Sequence, residues 1–205
     1  MVFVRRRRII WIVVIIIISV GIILYYIYML TAPWRTMRKF VHAIEKEDIA
    51  IIVSLAVPEE RKYCGVTENS VRMILEATLG KWRPFKAVKI QKVPWRHVPI
   101  YKEIGWHRWF IIWGDAVTRK PIPFYSTGRG YLAYGISTPQ LFTEVTVRPT
   151  DEGWRVVVTE FLIQLTYGVY GSKYLYILHK AGIKGTVDVL TKPNEFKPLP
   201  KIFKR

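Results

Sequence analysis

Cysteine is almost absent, with Cys64 the single one in 205 residues. One thiol excludes an intramolecular disulfide and any zinc site built from cysteines. Side-chain amides are scarce too, two asparagines and three glutamines beside many Ile, Val, Tyr, Lys and Arg residues. That fits the avoidance of thermolabile amides at high temperature, although the usual glutamate enrichment is missing. Acid is also in short supply: 15 Asp and Glu face 32 Lys and Arg, for a formal charge of +17. The first 31 residues hold four arginines and no acid, so the 28 basic and 15 acidic residues that follow carry +13. A field of that sign attracts phospholipid headgroups, nucleic acid, acidic polymers or an acidic protein.

Charge is missing altogether from Ile9 to Leu30, IIWIVVIIIISVGIILYYIYML. As a helix this run spans roughly 33 Å, enough for a hydrocarbon core of about 30 Å. It is longer than a signal-peptide core, and Pro33 in Thr31-Ala32-Pro33 makes cleavage awkward, so a retained anchor is expected. Arg5, Arg6, Arg7 and Arg8 abut the run, whereas Arg35, Arg38, Lys39 and Lys46 beyond it are diluted by Glu45, Glu47 and Asp48. That asymmetry puts the N-terminus in the cytoplasm and the rest outside the inner membrane of a bacterial cell. Tyr25, Tyr26, Tyr28 and Trp34 would anchor the exit end among the headgroups.

The expected organisation is a basic N-terminus at 1–8, a transmembrane helix at 9–31, an α+β domain at 32–190 and a basic, proline-rich tail at 191–205. Met37, Phe40, Val41 and Ile44 recur at i, i+3, i+4 and i+7, one face of a helix starting at Pro33. Asp48 caps a second helix to Ala56, stopped by Pro58, and Thr67 caps a third that ends at Gly80. Strands are expected at Lys86–Val93, Trp106–Trp113, Tyr131–Ile136, Leu141–Arg148 and Trp154–Leu165, with a loop over 116–130 and a last helix at Ser172–Ala181. Helices before strands predict α+β, three helices packed on a curved antiparallel sheet. In the hairpin LFTEVTVR-PTDEG-WRVVVTEFLI a loop over Pro149–Gly153 pairs Thr146 with Val156, Glu144 with Val158 and Phe142 with Glu160. Leu141, Val145, Val147, Val157, Phe161 and Ile163 then share the core face, and Glu144, Thr146, Trp154, Val156, Val158 and Glu160 the other.

The phrases MRKFVHAIEKEDIAIIVSLAVPE and DEGWRVVV, three amphipathic helices before a sheet that ends in a hairpin, resemble the nuclear transport factor two-like, or ketosteroid-isomerase-like, cone fold. The resemblance covers about Trp34 to Thr166 and is one of pattern. It implies a cone that single-pass bacterial relatives, such as the bitopic assembly component of type IV secretion machines, use for packing and dimerisation. Enzymes of the fold carry carboxylates, tyrosines or histidines inside the cone, but none of their motifs is matched residue by residue here.

Glu144 and Glu160 are the one paired-carboxylate candidate for acid-base chemistry, set against simple pairing with Arg148 or another basic neighbour. His42, His97, His107 and His179 lack metal-ligand spacing, which argues against a metal, and no cofactor signature is present. Cys64 reads as a small semi-buried residue, and Gly128-Arg129-Gly130 as a turn. Aromatics interleave with cations at Trp82-Arg83-Pro84-Phe85-Lys86, Trp95-Arg96-His97, Tyr101-Lys102 and Trp106-His107-Arg108-Trp109. Arg83, Lys86, Trp95, Arg96, Trp106 and Arg108 are therefore the candidate surface for an anionic or protein partner. The leading expectation is an accessory or assembly subunit whose partners are the bilayer and membrane proteins or a second copy. A cone-fold enzyme or small-ligand binder using Glu144 and Glu160 is the alternative. A membrane-tethered binder of anionic polymer is the third, with an outside location weighing against nucleic acid.

Overall fold

The computed structural model describes residues 2–94, 99–123, 140–187 and 196–200, with side chains from residue 13 and without those of 99 and 100. The chain divides into two units, Met1–Arg35 and Thr36–Arg205.

The first unit is helical. Helix α1 spans Val2–Lys46 and runs on through Pro33, so the expected break there does not occur. Proline removes from the helical ladder the one N–H that would meet the Met29 carbonyl; one turn earlier Thr31 Oγ1 donates to the Ile27 carbonyl at 2.9 Å and Arg35 Nη2 to the Tyr28 carbonyl at 2.7 Å. Arg35 also bonds Thr31 Oγ1 and lies 3.7 Å from the centroid of the Tyr28 ring. This helix is long and apolar enough to cross a membrane. Tyr25, Tyr26, Tyr28 and Trp34 are exposed on it; the side chains of Arg5, Arg6, Arg7 and Arg8 lie outside the described residues.

The second unit is α+β. Met37, Phe40, Val41 and Ile44 on the last turns of α1 are buried, as their spacing requires. Helix α2, Ile49–Leu55, is capped by Asp48, whose carboxylate accepts from the Ile51 N–H. Helix α3, Glu68–Thr78, starts with a reciprocal Thr67 and Ser70 capping pair. Strands β1 (Phe85–Lys92), β2 (His107–Asp115), β3 (Phe142–Thr150) and β4 (Gly153–Val156) form an antiparallel sheet in that order, with short helix α4 (Pro99–Glu103) before β2. One face, with Trp109, Ile111, Trp113, Val145 and Val147, joins the helices in the main core. Phe161 sits at its centre, edge-on to Phe40 at 5.2 Å and to Trp113 at 6.0 Å. The other face carries a small cluster of Val93, Phe110 and Ile112.

The hairpin departs from expectation. Thr150 pairs with Gly153 and Val147 with Val156, so the loop is Asp151-Glu152 and the register moves by one residue. Pro149 stays in the strand because it opposes Trp154 where the ladder to β4 needs no N–H from it, and β2 has already ended on its other side. The expected strand Trp154–Leu165 stops at Val156, and helix α5, Val158–Tyr170, takes its place. Val158, Phe161, Leu162 and Leu165 all bury on one helical face, a 3.6-residue period that the β-branched run VVVT disguises. The expected strand over Tyr131–Ile136 lies outside the described residues. Helix α6 (Tyr174–Lys180) and a small pair, β5 (Gly185–Val187) with β6 (Phe196–Pro198), complete the unit. Gly65, at φ 79°, abuts this end so closely that a Cβ would meet the Gly182 carbonyl oxygen at 2.2 Å.

The start of α5 is held from far away in sequence. Val157 offers no side-chain cap; instead the buried Glu60, on a π-helical turn at Glu60–Cys64, accepts from the N–H groups of Val158 and Thr159 at 2.8 Å each. Burial raises the Glu60 carboxyl to about 7, against the lowering effect of its bonds to Thr159 and Val158 and of Arg148. Its folded state therefore binds a proton more tightly than its unfolded state, and this group subtracts stability as pH rises from about 4.5 to about 7. Between those limits the unfolding free energy of wild type relative to Glu60→Gln should fall by about 3 kcal/mol as pH rises. Denaturation of both proteins across that range checks it, and parallel curves would contradict it.

Candidate functional site

Arg108 on β2 points to the same face as Glu144 and Thr146 on β3, since Arg108 pairs with Thr146 in register. Helix α5 runs along the part of β3 that the short β4 leaves uncovered. From there Gln164 Oε1 accepts from the Glu144 N–H, replacing the partner a longer β4 would have supplied, and Glu160 reaches the same face. Arg108 Nη1 donates to Glu144 at 2.7 Å and Nη2 to Glu160 at 2.6 Å, while Nη2 also bonds the Tyr101 hydroxyl. Thr146 Oγ1 donates to the second oxygen of Glu160 at 2.6 Å, and Gln164 Nε2 to Glu144 at 3.3 Å. The guanidinium lies 4.8 Å from the centroid of the Tyr101 ring.

The three charged side chains keep only 10%, 12% and 15% of their exposure for Arg108, Glu144 and Glu160. Burial raises the Glu160 carboxyl, Glu144 adding to the rise and Arg108 and Thr146 opposing it. Burial, and then Glu160, likewise raise the Tyr101 hydroxyl. Two carboxylates that share one guanidinium and take further bonds from Thr146 and Gln164 have little capacity left to move a substrate proton. The arrangement ties helix, sheet and α4 together. Glu144 and Glu160 do meet, but through a helical turn and a third partner, not through the expected hairpin register. Arg148, the other expected partner, pairs instead with Glu59 at 2.6 Å.

The candidate partner surface separates. Arg108 and Trp106 are buried, 9% and 4% exposed, and form no part of an outer surface. Arg83 is exposed, but its guanidinium bonds both Glu47, at the corner between α1 and α2, and Glu76 on α3. Lys86 lines a groove beside α1. Trp95 and Arg96 lie outside the described residues. Cys64 is fully buried, and burial followed by the charges of Glu60 and Glu59 pushes its thiol up to about 12, so it is held as an unreactive thiol. His107 lies between the rings of Trp109 and Trp154, with burial and then Lys92 lowering it to about 4. Among the described residues no group of three or more His, Cys, Asp and Glu converges.

Removing one member of such a triad strands the others. Arg108→Met should cost about 3–5 kcal/mol at neutral pH, while adding Glu144→Leu and Glu160→Leu should recover most of the loss. Burial already raises Glu160 against the pull of Arg108; without the arginine its folded state holds a proton still more tightly, so the deficit should shrink as pH falls. Denaturation of the three proteins in detergent reads this, and an unchanged Arg108→Met stability would contradict it. No family model, no curated protein and no solved structure matches this chain.

Proposed function

We propose that the protein is a single-pass accessory or assembly subunit of the bacterial inner membrane, N-terminus in the cytoplasm, with a basic α+β domain outside that packs against membrane-protein partners or a second copy. One observation carries this reading most: the polar groups best suited to chemistry, Glu144, Glu160, Tyr101 and Arg108, bond to each other in a closed cluster. The domain keeps the +13 excess of cationic charge that a partner or a membrane surface can use. The same cluster weighs against the alternative of a pocket enzyme built on Glu144 and Glu160, because the guanidinium fills the space between the carboxylates. The cone-fold resemblance stays within this proposal as the architectural relationship of the helices and sheet.

Val117 is 80% exposed and Cys64 fully buried, so a cysteine probe can be placed on a silent background. Val117→Cys should react with a membrane-impermeant maleimide in intact spheroplasts, and wild type should not. Reaction only after lysis would reverse the orientation. Light scattering of protein extracted in mild detergent should give a protein mass above the 24.1 kDa of one chain; a monodisperse single chain would contradict the assembly role.

A further inference from the structure

A groove of about 650 Å³ lies within the second unit, between the last turns of α1 and the edge strand β1. Arg38, His42 and Lys46 follow one another at four-residue spacing along α1, with Lys39 beside them, and Lys86 faces them from β1. Glu45 is the one acid among the lining residues, and it is committed to the wall. Its Oε1 accepts from the Ala87 N–H at 3.0 Å, closing part of the open edge of β1, and its other oxygen stands 3.8 Å from His42 Nδ1. Four cations against one carboxylate leave the lining at +3 with His42 neutral. Lys39, Lys46 and Lys86 make no ion pair among the described residues. Val41, Phe85 and Ile90 give the same groove an apolar side.

We infer that this groove binds the phosphodiester headgroup of an anionic phospholipid. The volume falls in the range of small-molecule sites, and the charge suits a phosphate held by several lysines and an arginine. The apolar side suits the glycerol and the first methylenes of the lipid. A lipid is favoured over a soluble phosphate by chain connectivity: Arg38 is eight residues beyond Leu30, so it stays within about 28 Å of the end of the apolar run whatever path the chain takes. Within that reach the leaflet presents its headgroups at a high effective concentration, and within about one Debye length, roughly 8 Å, of the surface its field adds attraction for each cation. This inference rests on the membrane-anchored part of the proposed function and not on any protein partner.

The test uses the full chain in nanodiscs of equimolar phosphatidylcholine and phosphatidylglycerol, isolated by flotation, with the lipids retained on the released protein identified by native mass spectrometry. Phosphatidylglycerol should be enriched over phosphatidylcholine by about tenfold. Lys39→Gln with Lys46→Gln and Lys86→Gln should abolish the enrichment, the corresponding arginine substitutions should keep it, and neutralising the exposed Lys102, Lys173 and Lys180 should leave it intact. Equal loss in the groove and control variants would show that net charge alone attracts the lipid and would overturn the inference. So would enrichment that survives the groove substitutions, or that excess inorganic phosphate removes. A groove variant that melts below wild type is replaced by the single Lys86→Gln, for which at least a twofold loss is expected and no loss is contrary. Failure of the wild-type chain to float with the discs would instead remove the membrane anchor itself.

Discussion

The carboxylate of Glu60 is the contact on which the second unit turns. By receiving the first N–H groups of α5 it sets the residue at which β4 stops and a helix begins. A strand continued past Val156 would send Phe161 along the sheet; the helix sends it into the space between α1 and β2, against Phe40 and Trp113. The same helix lays Glu160 and Gln164 along the exposed edge of β3, where they meet Glu144 and Arg108. Core and polar cluster are thus two consequences of one strand-to-helix change. The desolvation of Glu60 is opposed by its bonds to Thr159 and Val158, and a buried carboxylate with few such donors would be far more costly.

What could be read in the sequence is what local chemistry decides. Asp48 and Thr67 are followed within three residues by the N–H groups they cap, so α2 and α3 are legible. The strands β1, β2 and β3 lie within two residues of their expected starts and ends because their β-branched and aromatic runs are bounded by turn residues. The helix α5 is not legible in the same way. Its cap comes from a residue 98 positions earlier, and VVVTEFLI satisfies both an alternating and a helical pattern over its first residues; only its length, unbroken by Gly or Pro to Tyr167, favours a helix. Arg108 misleads for a related reason. An arginine between tryptophans on a strand looks like a stacking surface, and nothing near it in sequence announces the two glutamates that draw it inside.

Charge then divides by location. Arg83, Arg108 and Arg148 each bond glutamates that tie distant elements together, whereas Lys39, Lys46 and Lys86 gather around a groove. That groove joins residues 38–46 to 84–90, a pairing that no spacing along the chain reveals. Arginine's planar, forked donors suit such ties between elements.

The account as a whole depends on α1 remaining in a bilayer. In hydrocarbon a backbone must satisfy its own polar groups, and a long apolar helix does so at every turn. The most direct measurement is alkaline carbonate extraction of membranes that contain the full chain. Retention of the protein in the membrane pellet is the predicted result, and its release into the supernatant would contradict the account.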